Sequence, residues 1–243
     1  MRMMTFAGRN AKEILRDPIN LAFGLGFPLV LILLLSAIQA SIPVQLFELQ
    51  RLTPGITVFG LSFITLFSAS IIAKDRSSSF LQRLYTTPLR PIDFILGYTL
   101  PLIPIAIAQS MVCYMAAMVL GLEVTVNMIY AVLAIAPVSV LYIALGLLCG
   151  SVLNDKQVGG ICGALLTNLS AWLSGIWFDL DLVGGAFKKI AYGLPFVHAV
   201  DMHRAIIAGD FSGIFPHFWC VLGYAAIVFA AAVLLFLRQM KKQ

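Results

Sequence analysis

The sequence predicts an all-α polytopic membrane protein with six transmembrane helices. Of its 243 residues, 60% are hydrophobic and only 11% are charged, and the mean hydropathy is +0.97. Soluble domains carry about 25% charged residues, so water could not solvate this chain as a soluble fold. A helix needs about 20 apolar residues to cross a bilayer. The charge-free runs that reach this length are 19–47, 52–73, 94–122, 124–154, 157–178 and 211–237.

These runs favour helices over a β-barrel, because they are continuously apolar whereas barrel strands alternate over about ten residues. A cleaved signal peptide is the alternative interpretation of the N-terminus. The basic region before the first run is too long for one, and the run exceeds a typical apolar core of about 7 to 15 residues. We therefore expect a membrane anchor, with residues 1–243 forming a single transmembrane domain.

Residues 1–17 mix apolar and basic side chains as an amphipathic helix at the membrane interface would. A simple positive anchor that fixes orientation is an equally good interpretation. With six spans, all but four of the sixteen Lys and Arg residues lie on the side of the N-terminus. This bias predicts a multi-pass protein of the cell membrane with both termini in the cytoplasm. The four exceptions are Arg51, Lys188, Lys189 and Arg204.

Two connecting segments stand out by their length. Residues 74–93 form a cytoplasmic loop, and residues 179–215 form a longer external region that is largely apolar. The apolar pieces of the external region, 187–200 and 203–208, are too short to span. They predict a re-entrant or interfacial helical region before the last span.

The chain lacks the residues that several kinds of chemistry need. It has no G-x-x-x-x-G-K-[ST] loop, so any ATP must be hydrolysed on another chain. It has no cluster of metal ligands and no catalytic constellation, and its dispersed basic residues do not suggest nucleic acid. The span interiors lack Asp, Glu, Lys and Arg, which weighs against an ion-coupled secondary transporter and a membrane-embedded enzyme. We interpret His198, His203 and His217 as solvated interfacial side chains.

Small and polar residues mark the second and fifth spans for helix packing or for lining a pathway. Gly159 and Gly163 have the G-x-x-x-G spacing that favours close helix contact. Asn168 carries an amide that needs a partner on another helix, a ligand or water.

The cytoplasmic loop contains a short amphipathic segment. Phe80, Leu81, Leu84 and Tyr85 share one apolar face, and Pro88 ends the helix. Such a helix could lie on the lipid surface or dock in a groove of a soluble partner, and the residues alone do not decide between these.

At this loop the sequence resembles the type-2 ABC transporter permeases. Their loop carries an acidic and basic pair, then a hydrophobic residue, two leucines and Thr-Pro, and Ser79 stands where the family commonly has glycine. A second stretch, LPFVHAVDMHRAIIAGD, is similar to the family's segment before the last span, through Pro195, Arg204 and Gly209, with Leu194 replacing a frequent Asn. The matching loop residues are Asp75, Arg76, Phe80, Leu81, Arg83, Leu84, Thr87 and Pro88.

The resemblance implies a permease subunit that forms half of the translocation pathway of an ATP-driven exporter. It implies a second permease chain, identical or related, and two cytoplasmic ATP-binding subunits that hold ATP and Mg, with no cofactor on this chain. The uncharged spans suggest an amphipathic or hydrophobic cargo such as a drug, peptide or lipid-linked molecule. A polysaccharide or lipid export permease of the same class, and an ion-coupled transporter, remain alternatives.

The resemblance also implies two sets of site residues. Residues expected to couple to the ATP-binding subunit are Asp75, Arg76, Phe80, Leu81, Arg83, Leu84 and Pro88. Residues expected along the substrate pathway, on the second and fifth spans, are Phe63, Thr65, Thr167 and Asn168.

Overall fold

The computed structural model describes residues 2–43, 46–78, 80–81 and 90–240. Helices make up 86% of these residues, and no strand occurs among them. The helices are α1 (Arg2–Leu15), α2 (Pro18–Ser41), α3 (Leu49–Ser77), α4 (Pro91–Val119), α5 (Val126–Val152), α6 (155–172), α7 (Leu180–Val183), α8 (Gly185–Tyr192), α9 (Pro195–Ala208) and α10 (Phe211–Met240).

Three helices are irregular within their lengths. α2 contains a wide π-helical segment at Ala22–Gly26, and α6 contains another at Gly159–Leu166. α4 is interrupted after Thr99 and resumes at Leu102, because Pro101 has no N–H to continue the hydrogen-bond ladder.

Five helices in the described part of the chain are long and apolar enough to cross a membrane, namely α2, α3, α4, α5 and α10. They coincide with five of the six charge-free runs and confirm a multi-pass helical membrane protein. The predicted fifth span forms α6, which falls short of this criterion. Its first residues are Asp155 and Lys156, and its last turns carry Thr167, Asn168 and Ser170, so its average apolarity is lower. The count of six spans therefore stays a prediction.

α3 is the central helix of the bundle. Within its most apolar stretch 89% of the residues are buried, whereas only 22% are buried in the corresponding stretches of α2 and α10. α3 packs against α2, α4, α5, α6 and α9. Any displacement of α3 along its axis must therefore be accommodated by nearly every other element.

A close helix contact lies between α3 and α5 and depends on two glycines. A Cβ atom on Gly146 would lie 2.6 Å from the carbonyl oxygen of Thr65, and one on Gly150 would lie 2.7 Å from that of Ala69. The Thr65 hydroxyl also donates to the carbonyl oxygen of Tyr142 at 2.8 Å. Glycine is required here because the two backbones approach so closely.

The predicted G-x-x-x-G pair of α6 does not make such a contact. No atom lies within 4 Å of a Cβ built on Gly159, and a Cβ on Gly163 would make ordinary contact with Leu66. The close-packing motif is Gly146 and Gly150 on α5.

The region 179–215 contains α7, α8 and α9, and α10 begins within it at Phe211. None of α7, α8 and α9 reaches a membrane-crossing length. α9 packs against α3, α5 and α10 and is mostly buried on its inner side. The short helices agree with the sequence, while their re-entrant or interfacial position stays a prediction.

Candidate functional site

A buried carboxylate marks the end of α3 where the chain leaves the bundle. Asp75 is only 3% exposed, and its two oxygens accept hydrogen bonds from Arg9 Nη1 at 2.7 Å and Nη2 at 2.9 Å. The Tyr98 hydroxyl of α4 donates to the same carboxylate at 2.9 Å. Arg9 also pairs with Glu13 on its own helix at 2.7 Å. One carboxylate thus joins α1, α3 and α4.

The apolar face of α1 fixes this helix beside the ion pair. Phe6 packs edge-on against Tyr98 and Phe94, with ring centroids 5.0 and 5.8 Å apart. Asn10 is fully buried and donates from Nδ2 to the carbonyl oxygen of Gly97 at 2.9 Å. Gly97 must be glycine because a Cβ there would collide with the ring of Phe6. α1 is therefore held on α4 by packing as well as by charge.

The residues on either side of the carboxylate reach two further elements. Lys74 forms an ion pair with Asp17, which caps the start of α2, at 3.6 Å. Arg76 donates from Nη1 to the carbonyl oxygens of Gly150 at 2.7 Å and Leu153 at 3.3 Å, at the end of α5. Cations are favourable at this negative end of a helix. Three consecutive residues thus tie the end of α3 to α1, α2, α4 and α5; we call this group the α3 junction.

The loop beyond the α3 junction starts in contact with it. The guanidinium of Arg9 lies over the ring of Phe80, 4.4 Å from its centroid, and Leu81 is 1% exposed. Both residues are helical, and the rest of the predicted amphipathic segment is not tested by the described residues. The remaining predicted coupling residues lie outside the described part of the chain: Arg83, Leu84 and Pro88, together with Thr87.

The electrostatics of the α3 junction suit a permanent structural link. Burial lowers the pKa of the Arg9 guanidinium, but the hydrogen bond and the charge of Asp75 more than offset this, so the net pKa shift is upward. A guanidinium held this way stays protonated and keeps both of its hydrogen bonds to the carboxylate. The group fixes the position of the loop relative to four helices.

The predicted pathway residues of α3 face different neighbours. Phe63 is 7% exposed and packs against Phe27 of α2 and Phe59, at centroid distances of 5.7 and 6.0 Å. Thr65 points to α5 and bonds to its backbone, as described above. Phe63 and Thr65 therefore point towards different helices, and within a single chain they do not line a common cavity.

The predicted pathway residues of α6 differ in exposure. Thr167 is mostly buried, and its hydroxyl donates to the carbonyl oxygen of Cys162 at 2.9 Å. Asn168 is exposed, and its Nδ2 donates to the carbonyl oxygen of Ala164 at 2.8 Å. That bond occupies one donor of the amide and leaves its other donor and its oxygen for a partner or ligand.

The opposite end of the bundle is held by Arg204 of α9. Its Nη2 donates to the carbonyl oxygen of Gly175 at 2.8 Å, and its Nε to that of Arg51 at 3.4 Å. Arg51 in turn pairs with Asp179 at 3.4 Å. Gly209 ends α9 with a φ of +76°, a left-handed conformation that favours glycine. These contacts explain the arginine and glycine of the second family-like stretch.

The solvated interpretation of the histidines is wrong for His203, which is fully buried and donates from Nδ1 to the carbonyl oxygen of Ala199 at 2.9 Å. α9 packs this side of the helix onto the bundle, which removes it from water. His198 and His217 lie with their Nδ1 atoms 2.8 Å apart and link α9 to α10. Among the residues that the structure describes, no three or more His, Cys, Asp or Glu side chains lie close enough together to hold a metal ion.

Two polar residues of α4 were not singled out from the sequence. Tyr98 has no local signal, since its partner Asp75 lies 23 residues earlier. Gln109 is fully buried and donates to the carbonyl oxygen of Thr57 at 3.2 Å. An amide inside a charge-free run is the same signal that identified Asn168, and it would have found Gln109 as well.

The fold defines a multi-pass helical membrane protein with a polar junction at the end of its central helix. The family model for ABC-2 family transporter proteins matches residues 43–234, and the chain therefore belongs to this family. Members are membrane transport components that typically work with ATP-binding subunits. The resemblance to type-2 ABC permeases is thereby confirmed. No curated protein matches the chain significantly.

Proposed function

We propose that the chain is the permease subunit of an ATP-driven exporter, in which residues 74–93 receive the motion of two ATP-binding subunits. The observation that carries the proposal is the α3 junction, because it connects the start of this loop to four helices. A site that transmits force needs rigid attachment, and a buried bidentate ion pair supplies it.

In the proposed cycle, ATP-driven closure of the ATP-binding subunits displaces the loop. Phe80 lies against Arg9, and Asp75 and Arg76 belong to α3 itself, so the displacement passes to α1 and α3 together. Because α3 is central, its movement changes the packing of α2, α5 and α6. The cavity between two permease chains then switches between facing the cytoplasm and facing the outside.

The proposal includes six spans with both termini in the cytoplasm, α6 being the fifth span, 1–17 an interfacial helix and 179–215 a re-entrant region. The Lys and Arg bias supports this orientation. α1 supports the interfacial assignment, since Phe6, Ala7, Asn10 and Ile14 form its buried face. A labelling reagent that cannot cross the membrane, applied to single-cysteine variants at residues 2 and 182, tests it: only position 182 should react in intact cells.

We further propose a dimer of permease chains, identical or related, in which α3 and α6 border the pathway. Among the four predicted pathway residues, Asn168 is supported best, because it is exposed next to Leu165, Leu169 and Trp172. Such a surface fits an amphipathic or hydrophobic cargo better than an ion. A lipid-linked molecule or polysaccharide remains the alternative cargo within the same class.

The energy source separates this proposal from an ion-coupled transporter. Cells expressing the chain with its ATP-binding subunit are loaded with a panel of fluorescent amphipathic dyes. Dye efflux is then measured in the presence of ionophores, which collapse the ion gradients, and separately after ATP depletion. We expect efflux to survive collapse of the ion gradients and to stop without ATP. Efflux that follows the ion gradient and ignores ATP would exclude the ABC mechanism.

A further inference from the structure

An open groove lies beside the α3 junction, between α1 and the ends of α2 and α3. Its volume is about 1050 Å³, and its walls carry four cations and two carboxylates. The lining residues used below are Arg9, Lys12, Glu13, Arg16, Asp17 and Lys74.

The charges of the groove are only partly balanced. Glu13 pairs with Arg9, whose guanidinium also holds the buried carboxylate of α3, and Asp17 pairs with Lys74. No carboxylate of the described residues forms an ion pair with Lys12 or Arg16. These two side chains are exposed and lie one helical turn apart, so the groove presents two uncompensated positive charges.

The groove lies beside the ends of two helices that are long and apolar enough to cross a membrane. α2 begins at Pro18 and α3 ends at Ser77, and both of these ends border the groove. Along α2 from the lining residue Pro18, Ile19 and Phe23 are 69% and 54% exposed. The basic groove is therefore followed along α2 by exposed apolar side chains.

We propose that this groove binds an anionic phospholipid of the leaflet on the α1 side. The phosphate headgroup contacts Lys12 and Arg16, and an acyl chain runs along Ile19 and Phe23. Charge complementarity selects the headgroup, since Lys and Arg near a membrane surface attract anionic lipids. The adjoining apolar strip explains why a lipid is the occupant and a soluble phosphate is not, because only a lipid gains from both surfaces.

Lipid retention on the purified full-length chain tests the proposal. The chain is reconstituted in vesicles of one part phosphatidylglycerol to four parts phosphatidylcholine, re-extracted in detergent, and analysed by native mass spectrometry for bound lipid. We expect phosphatidylglycerol to be enriched over its share of the vesicle. The Lys12→Gln/Arg16→Gln variant should retain phosphatidylglycerol on the order of tenfold less well, since each basic residue contributes separately.

A Lys188→Gln/Lys189→Gln variant is the matched control, because it removes the same charge on α8, far from the groove in the sequence and at the other end of the bundle. It should retain phosphatidylglycerol like the unaltered chain. Raising the salt concentration on the unaltered chain gives an independent measurement and should lower retention by screening. Equal phosphatidylglycerol retention by both double variants would overturn the proposal. So would a Lys12→Gln/Arg16→Gln variant that keeps its lipid but loses a co-purifying ATP-binding subunit, because the groove would then be a protein-docking surface.

Discussion

Arg9 and Asp75 lie 66 residues apart in the sequence and form a bidentate ion pair that joins the N-terminal helix to the end of the central helix. The carboxylate is almost fully buried, while the guanidinium is one-third exposed. The cost of burying Asp75 is met by this pair and by Tyr98, since a buried charge must be paired and hydrogen-bonded. The pair therefore anchors the loop that the family resemblance associates with energy coupling.

Replacing Arg9 by Ala should destabilise the chain by roughly 3 kcal/mol, because it leaves the Asp75 carboxylate buried without its main partner. The loss is measured as a lowered thermal transition of the purified protein in detergent. Lys156→Ala removes an exposed basic residue from the start of α6 and serves as the control. If both variants melt at the temperature of the unaltered chain, the ion pair contributes no structural anchoring.

Tyr98→Phe isolates the third group on the same carboxylate. It removes only the hydroxyl that donates to Asp75, and a hydrogen bond to a charged group contributes about 1.5 to 3 kcal/mol. Tyr130→Phe makes the same change on a residue of α5 that is 47% exposed. We expect a lower thermal transition for Tyr98→Phe alone, and equal transitions would show that the bond is dispensable.

Gly146→Ala tests the close approach of α3 and α5. The added methyl group would sit 2.6 Å from a backbone oxygen, and neither helix can move without disturbing others. We expect a loss of about 1 to 3 kcal/mol from overpacking. Gly160→Ala, which adds the same group on α6 where nothing lies within 4 Å, should leave thermal stability unchanged or slightly raised. A similar effect of both changes would argue against this helix contact.

Burial lowers the pKa of His203 to about 4, from its ordinary value of 6.5. The unfolded chain therefore binds a proton at this residue between pH 6.5 and 4 while the folded chain does not. The contribution of neutral His203 to the free energy of unfolding is fully present above pH 6.5 and is lost as the pH drops through this window. His203→Gln should flatten this part of the pH dependence, measured as thermal transitions between pH 7 and 4. A variant with an unchanged pH slope would show that His203 is accessible to protons in the folded chain.

Five spans could be predicted from the sequence, because a membrane-crossing helix is recognised from the length of one continuous apolar run without charged residues. Whether α6 spans the membrane was harder to predict, because its charged first residues and polar last turns lower its mean hydropathy below that of the other spans. Asp75 and Arg76 could be named from the family resemblance, but their partners could not. Asn10 donates to a carbonyl 87 residues away, and no local periodicity reports such a pairing.

The measurement that tests the central claim most directly is ATP hydrolysis that co-purifies with the tagged chain from its native membranes. The account predicts that hydrolysis co-elutes with the unaltered chain and falls by about tenfold or more for Leu84→Asp, which places a charge among the apolar residues that the sequence predicts for partner docking. Leu182→Asp, at a residue that is 83% exposed on α7, should behave like the unaltered chain. Hydrolysis that co-elutes equally with Leu84→Asp, or none with the unaltered chain, would contradict it.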